Sequence, residues 1–372
     1  MAEIQSYEEY WKLTLEYTDF NDDKFLTTLQ MVVDKVDFLN QSGSYEYNKD
    51  DYQKLQTEIL EKVPKTSANI ENQLASTRKA INQCVKLGFV NSFLNSYHHL
   101  TKAFLQAKTN RKRKTLLSRI VYDNSSFNRS ITTESNLHQL NFLINTLVEN
   151  GKLSKTDIIA LMIVDIEQVA KGYLTRRELD YYVNDAISNK FIERKYNQVG
   201  YLNNILNKLD EICFVNDELY FTEDTKRIFG EEIEVVTKKR NPYLYLLYKN
   251  QLKEESFSIY HAEKCMVEKL DYPVLIASHI KPFIDCDEDI EASDVNNGIL
   301  LSRNFDSLFD LGYITFANDG KVIVSEQVSQ ELTKHISKYQ LNSHFINPTR
   351  LKYMEYHRKN VFEHKAKIYQ NA

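Results

Sequence analysis

Glycine is the residue that most constrains what this chain can fold into, because it is scarce and thinly spread. The 372 residues include nine glycines and five prolines, and no two glycines lie closer than eight positions apart. The phosphate-binding patterns G-x-G-x-x-G and G-x-x-x-x-G-K-[ST] need glycines in much closer succession. A dinucleotide-binding Rossmann fold and a P-loop NTPase are therefore excluded, and we expect no nucleotide cofactor. Few turn-forming residues also predict long helices.

The overall composition is that of an ordinary globular protein. Hydrophobic residues make up 42% of the chain and charged residues 27%, with a net charge of −5. No apolar run approaches the roughly 20 residues of a membrane-spanning helix, and the N-terminus lacks the basic start and apolar stretch of a signal peptide. The four cysteines are scattered, which is typical of reduced thiols. We therefore expect a cytoplasmic protein with no membrane partner.

Charge is unevenly distributed along the chain. Residues 101–130 hold a single acidic residue and a run of four basic ones. The run consists of Arg111, Lys112, Arg113 and Lys114. Basic side chains that face phosphates supply the salt-dependent part of DNA affinity, so we predict a DNA contact here, with a solvated helix face as the alternative. Residues 285–294 are acidic, and since their charge would repel DNA, we expect a solvated loop that faces away from the substrate.

The first 236 residues are predicted to be mainly helical and to form two domains, 1–132 and 133–236. Apolar residues recur at helical spacing over residues 7–62, and capping patterns begin at Ser154 and Thr175. Residues 211–222 then alternate around a polar Asn-Asp pair, which predicts a β-hairpin. Helices followed by a hairpin are the order of a winged helix-turn-helix, a DNA-binding fold. A plain helical scaffold is the alternative.

Composition changes after residue 240. Four of the five prolines and three of the nine glycines lie beyond it. Short strand-like segments occur at residues 274–276, 299–301, 313–316 and 322–324. These features predict a separate α+β domain over residues 241–372, preceded by a linker at residues 237–241.

Residues whose side chains could take part in catalysis are concentrated between positions 273 and 310. A predicted strand ends in His279, Asn297 precedes a second strand, and a short helix beginning near residue 302 carries Asp306. Neutral imidazole is the usual base for deprotonating water near neutral pH. A carboxylate can hold a hard divalent ion beside a phosphate, and an amide can fix the orientation of an imidazole. Together these groups are what phosphodiester hydrolysis requires.

The same segment resembles the HNH, or ββα-metal, nuclease family. The likeness lies in A-S-H-I-K-P at residues 277–282 and in N-G-I-L-L-S-R-N-F-D-S-L-F-D at residues 297–310. The resemblance implies that His279 is the general base, that Asn297 holds it in place, and that Asp306 binds the metal ion. Many relatives have Asp or His directly before the base, where this chain has Ser278.

Further assignments accompany the resemblance. Asp310 lies one helical turn after Asp306 and is a candidate second metal ligand, and Lys281 is a candidate DNA contact. The expected ion is Mg²⁺ or Mn²⁺. No structural zinc is expected, because Cys265 and Cys286 do not form the cysteine pairs that bind zinc in many relatives.

The expected fold class is a mainly α N-terminal region, with a winged helix as one interpretation, followed by a C-terminal α+β HNH domain. The expected function is a sequence-specific endonuclease for double-stranded DNA, of the type II restriction kind. Since one HNH site cuts one strand, we expect a homodimer on a symmetric site. One alternative is a modification-dependent or other phage-defence nuclease. The other is a non-catalytic DNA-binding protein with a degenerate HNH domain, which Ser278 makes conceivable.

Overall fold

A computed structural model gives the structure of the chain. It describes residues 10–11, 13, 15–43, 47–191, 196–215, 217–222, 241–286 and 289–363. The chain divides into two compact units, Met1–Lys238 and Lys239–Ala372. The further division of the first unit near residue 132 stays a prediction. None of the described helices is long and apolar enough to cross a membrane.

The described part of the first unit is mostly helical, which confirms the prediction for this region. Its helices are α1 (Asp23–Gln41), α2 (Lys49–Lys62), α3 (Ile70–Lys86), α4 (Thr101–Leu105), α5 (Asn110–Asn124), α6 (Gln139–Asn150), α7 (Lys155–Leu161), α8 (Arg176–Ser188) and α9 (Tyr196–Leu206). Polar side chains cap the starts of several helices, as Asn48 does for α2 and Thr109 for α5. The predicted capping boxes at Ser154 and Thr175 open α7 and α8.

The start of the first unit differs from the prediction. The described residues between positions 10 and 20 are not helical, although four apolar residues at two-residue spacing, from Trp11 to Tyr17, are buried. Trp11 donates from its backbone nitrogen to the carbonyl of Met162 (2.8 Å) and from its indole nitrogen to that of Val164 (3.2 Å). Residues two apart face the same side of an extended chain, so this spacing belongs to an extended segment that packs on the end of α7.

A three-stranded sheet accompanies the later helices of the first unit. Its strands are β1 (Leu153–Ser154), β2 (Ile212–Val215) and β3 (Glu218–Phe221), in the spatial order β1-β3-β2 with antiparallel pairing. The predicted hairpin at residues 211–222 is therefore present, and β1 adds a third strand to it. The chain order α6-β1-α7-α8-α9-β2-β3 is compatible with a winged helix, which stays a prediction.

The second unit combines helices with two short hairpins. Its elements are α10 (Pro242–Tyr260), β4 (Leu275–His279), α11 (Asp289–Ala292), β5 (Gly298–Ser302), α12 (Arg303–Asp310), β6 (Ile314–Phe316), β7 (Val322–Val324), α13 (Gln330–Ile336) and α14 (Pro348–His357). Strands β4 and β5 pair antiparallel, with His279 opposite Gly298 and Leu275 opposite Ser302. Both α10 and α12 pack on this hairpin.

The turn from β5 into α12 sets the position of Asp306. Ser302 ends the strand and caps the helix, because its hydroxyl accepts a hydrogen bond from the backbone nitrogen of Phe305 (3.4 Å). No loop intervenes, so Asp306 lies in the first turn of α12. The predicted strand, strand and helix of this segment are thus found where the sequence indicates them.

Candidate active site

His279 is the last residue of β4 and is almost completely buried, with 7% of its surface exposed. Its ring stacks on the ring of Tyr248 from α10, with centroids 4.6 Å apart and planes inclined by 19°. The rings of Phe283 and His279 meet edge to face, with their centroids 6.0 Å apart. The imidazole is therefore confined between aromatic rings at the end of the strand pair where His279 lies opposite Gly298.

One backbone carbonyl fixes the protonation pattern of this imidazole. The Nε2 atom of His279 lies 2.7 Å from the carbonyl oxygen of Ala292. Because a carbonyl oxygen only accepts, Nε2 carries the hydrogen, and the basic lone pair of the neutral ring resides on Nδ1. The ring also borders a cavity of about 20 Å³, a size that admits one water molecule. The other residues lining it are Asn241, Leu244, Tyr245, Phe283, Ala292 and Ser293.

The acidic segment, residues 285–294, is described at residues 285–286 and 289–294. Its last residues close over His279, so the expectation of a solvated loop that faces away from the site is wrong for them. Ala292 bonds the imidazole, and Ser293 lines the cavity. The carboxylate of Asp294 accepts hydrogen bonds from the backbone of Asn296 (2.9 Å) and the hydroxyl of Tyr353 (3.1 Å). The carboxylate of Asp294 therefore helps to hold the segment in place. Residues 287 and 288 lie outside the described part.

Asn297 is fully buried and holds the two ends of this segment together. Its Oδ1 accepts from the backbone nitrogen of Lys281 (2.7 Å), and its Nδ2 donates to the carbonyls of Lys281 (3.2 Å) and Glu291 (3.3 Å). Nδ2 also lies 3.4 Å from Sγ of Cys286. These bonds run to the backbone around His279 and not to its imidazole. Asn297 therefore restrains the loop whose Ala292 carbonyl holds the ring.

The two candidate carboxylates lie with Ser278, on the other face of the hairpin from His279. Consecutive strand residues point to opposite faces, so Ser278 faces α12 while His279 faces α10. The Ser278 hydroxyl donates to Oδ1 of Asp310 (3.5 Å). Burial raises the pKa of the Asp306 carboxyl, and the Ser278 hydroxyl lowers it by a smaller amount. The structure thus brings Ser278, Asp306 and Asp310 together beside the strand end that carries His279.

Asp306 has the feature expected of a cation ligand. Its Oδ1 atom is buried and accepts no hydrogen bond within the described residues. An unsatisfied buried carboxylate oxygen is costly, and a hard cation would satisfy it. Among the described residues, no group of three or more His, Cys, Asp or Glu could hold a metal ion. The oxygen set of Asp306 and Asp310 nevertheless fits Mg²⁺, which is commonly held by one or two carboxylates, with water and phosphate completing its shell.

Lys281 lies against the acidic segment. Its Nζ is 2.8 Å from Oε2 of Glu291 and 5.1 Å from the ring centre of Tyr356, and the residue is buried. A contact between Lys281 and DNA would require the ion pair to open.

The four basic residues at the start of α5 are not equivalent. Arg111, Lys112 and Lys114 are exposed. The guanidinium of Arg113 turns inward and donates to Oδ1 of Asn21 (3.0 Å) and the carbonyl of Ala107 (2.7 Å). Three of the four side chains are therefore exposed, while Arg113 ties α5 to the start of α1.

Sequence reasoning missed two groups at the site. Tyr248 lies 31 positions before His279, in a helix whose periodicity does not distinguish it from other apolar positions. Ala292 acts through its carbonyl, which its residue type does not reveal. Gly298 fits a close neighbour at this position, since a Cβ there would meet the tyrosine hydroxyl at 2.2 Å, but the glycine does not identify that neighbour from the sequence.

Comparison with known proteins agrees with the motif. Residues 265–317 match the family model of the HNH endonucleases. The matched range contains β4, β5, α12 and β6, and with them His279, Asn297 and Asp306. A search of curated proteins found no match to the chain. The family match supports the HNH resemblance for this segment.

Proposed function

We propose that this chain is an HNH-type DNA endonuclease with His279 as its general base. The observation that carries the proposal is the segment matched to HNH endonucleases, which folds as strand, strand and helix with His279 on the first strand and Asp306 on the helix. An imidazole fixed at one nitrogen and a carboxylate with one unsatisfied oxygen are groups that can hydrolyse a phosphodiester, as base and as metal ligand.

The imidazole of His279 takes the proton of the attacking water on Nδ1. The proton enters the ring while Nε2–H stays bonded to the carbonyl of Ala292, and that bond strengthens when the ring becomes positively charged. Asn297 preserves this geometry by fixing the loop that bears the carbonyl.

Asp306 would hold the divalent ion, with Asp310 as a second carboxylate on the same helix face. When bound, such an ion stabilises the negative charge that gathers on the phosphate and on the leaving oxygen. Ser278, in the position where many relatives have Asp or His, donates its hydrogen bond to Asp310. In this chain it would orient a carboxylate rather than bind the ion strongly. We propose Mg²⁺ or Mn²⁺ as the ion.

The first unit would bind double-stranded DNA. The exposed cations Arg111, Lys112 and Lys114 support this role through charge, and the order of helices and strands from α6 to β3 is compatible with a winged helix. A large recognition unit joined to one nuclease unit favours a sequence-specific enzyme of the type II restriction kind. Cleavage of both strands would then require two copies on a symmetric site.

The test is incubation of the full-length protein with supercoiled plasmid and phage DNA in Mg²⁺, with EDTA as the control. We expect nicked and linear products when Mg²⁺ is present and none when EDTA removes it. The product ends should carry 5′-phosphate and 3′-hydroxyl groups and should lie at one recurring sequence. His279→Gln should abolish cleavage, while the matched control His335→Gln, an exposed histidine of α13, should cut as wild type does. Cleavage of methylated DNA alone would favour a modification-dependent nuclease.

Ser278 favours one other candidate function, a DNA-binding protein with a degenerate nuclease domain. That candidate predicts a retarded band in a gel-shift assay and intact plasmid at every Mg²⁺ and Mn²⁺ concentration. Nicking by wild type that His279→Gln eliminates would exclude it.

A further inference from the structure

Tyr248 meets the catalytic histidine from outside the matched nuclease segment. It lies in α10 with 1% of its surface exposed, and its ring is nearly parallel to that of His279, 4.6 Å away and inclined by 19°. A face-to-face contact of this kind restricts rotation of the imidazole about its bond to Cβ. It also offers the protonated ring the favourable interaction of a cation with an aromatic face.

The hydroxyl of the same tyrosine joins the two strands at the end where His279 lies. It is 3.2 Å from the carbonyl oxygen of Ser278 and 3.1 Å from that of Asn297. The hydroxyl has one hydrogen, so the two carbonyls share it. These carbonyls belong to the residues directly before His279 and before its partner Gly298. The hydroxyl therefore restrains the backbone of both paired strands next to the base.

Gly298 makes room for this arrangement. A Cβ at position 298 would lie 2.2 Å from the hydroxyl oxygen of Tyr248 and 2.8 Å from Cδ1 of Leu252. The backbone of Gly298 is extended, with φ at −142°, so any residue could adopt its conformation. The glycine is needed for space, and the space is occupied by Tyr248.

We propose that Tyr248 is the positioning residue of the general base. Its ring sets the plane of the His279 imidazole, and its hydroxyl holds the strand ends so that Nε2 remains on the Ala292 carbonyl and Nδ1 remains on the side of the attacking water. This inference rests on the proposed nuclease function. Small displacements of a reacting group cost rate without weakening substrate binding, so the effect belongs in the chemical step.

The kinetic test compares three variants of the full-length protein. Tyr248→Leu removes ring and hydroxyl, and Tyr248→Phe removes the hydroxyl alone. The matched control is Tyr260→Phe, because Tyr260 lies in the same helix and its hydroxyl also donates to a backbone carbonyl, that of Met266 (3.0 Å). Rates are measured in single turnover, with DNA and Mg²⁺ saturating, at a temperature where circular dichroism shows each variant folded.

We expect the single-turnover rate of Tyr248→Leu to fall by about 10- to 100-fold with DNA affinity unchanged. The rate of Tyr248→Phe should fall by a smaller factor, and the rate of Tyr260→Phe should equal that of wild type. A rate for both Tyr248 variants equal to that of Tyr260→Phe would overturn the proposal. If Tyr248→Leu does not fold, the comparison of Tyr248→Phe with Tyr260→Phe still decides the role of the hydroxyl.

A second readout does not depend on cleavage. In protein labelled with ¹⁵N in its histidine rings, the His279 signal, assigned by its loss in His279→Gln, should report the Nε2–H tautomer in wild type. In Tyr248→Leu it should shift toward a mixture of tautomers, whereas Tyr260→Phe should leave it unchanged. An unchanged tautomer in both Tyr248 variants would contradict the positioning role. A wild type that shows this dependence but does not cut DNA would refute the nuclease function while leaving the positioning intact.

Discussion

Two histidines of the second unit are held in nearly the same way but have different surroundings. His279 and His357 are both buried, each stacks on an aromatic ring, and each directs Nε2 at a backbone carbonyl, of Ala292 and Phe309 respectively. His357 also accepts a hydrogen bond at Nδ1 from the hydroxyl of Thr315 (2.9 Å), and burial lowers its pKa to about 4. His279 borders a cavity.

Burial, stacking and a carbonyl partner therefore do not identify a catalytic histidine. With both ring nitrogens bonded inside the protein, His357 can only contribute to stability. The cavity beside His279 would admit a water molecule to its ring, as the proposed proton transfer requires. Substitutions of the two residues should thus separate activity from stability.

The largest expected effect is that of His279→Gln. Removal of a general base lowers the rate by about 10²- to 10⁴-fold, so the single-turnover nicking rate should fall by that factor. The urea midpoint should fall by no more than that of His357→Gln, because His279 gives up one hydrogen bond, to Ala292, and His357 two. A folded His279→Gln that nicks DNA at the wild-type rate would instead assign His279 the structural role of His357.

Asp306→Asn should have the next largest effect on the nicking rate. A carboxylate ligand that holds a divalent ion contributes several kcal/mol of charge stabilisation, so we expect a rate loss of at least about 100-fold, partly recovered at high Mn²⁺. Asp310→Asn should lower the nicking rate by a smaller factor. Equal activity of Asp306→Asn and wild type across a Mn²⁺ titration would remove Asp306 from the site.

His357→Gln should act on stability alone. Loss of hydrogen bonds to Thr315 and Phe309 is expected to lower the free energy of unfolding by about 1–3 kcal/mol, while the nicking rate at low temperature stays that of wild type. Urea denaturation and single-turnover nicking on the same preparation provide the measurement. A loss of rate in folded His357→Gln would erase the distinction between the two histidines.

The pH dependence of stability tests the same comparison. His357 has a pKa of about 4 when folded and about 6.5 when unfolded, so the unfolded chain binds more protons between these values. The contribution of His357 is complete above pH 6.5 and is lost as the pH falls toward 4, by at most about 3 kcal/mol. In urea unfolding at several pH values, His357→Gln should show a smaller decline than wild type over this window.

The smallest effects are expected at the start of α5. Lys112→Ala with Lys114→Ala should weaken DNA binding uniformly across sequences and reduce the slope of log K against log salt by about one for each phosphate that the variant no longer neutralises. Arg113→Ala should instead lower stability, because its guanidinium bonds Asn21 and Ala107. An unchanged salt slope in the double variant would favour the solvated-face alternative.

Local patterns in the sequence predicted the strands and the helix that carry His279 and Asp306. The strand ending in His279 and the helix start at Ser302 depend on alternation and on a cap, which act over a few residues. The extended segment at Trp11 was misassigned to a helix because its apolar residues merge with the periodicity of α1. Tyr248 and the Ala292 carbonyl became visible only with the tertiary structure, since stacking and backbone bonds between distant residues leave little trace in residue type.

The most direct test of the central claim is the nicking rate of His279→Gln loaded with Mn²⁺, with binding of the ion verified by electron paramagnetic resonance. If His279 supplies the base and Asp306 holds the ion, this variant binds Mn²⁺ as wild type does and nicks DNA about 10²- to 10⁴-fold more slowly. Nicking at the wild-type rate by the Mn²⁺-loaded variant would contradict the account.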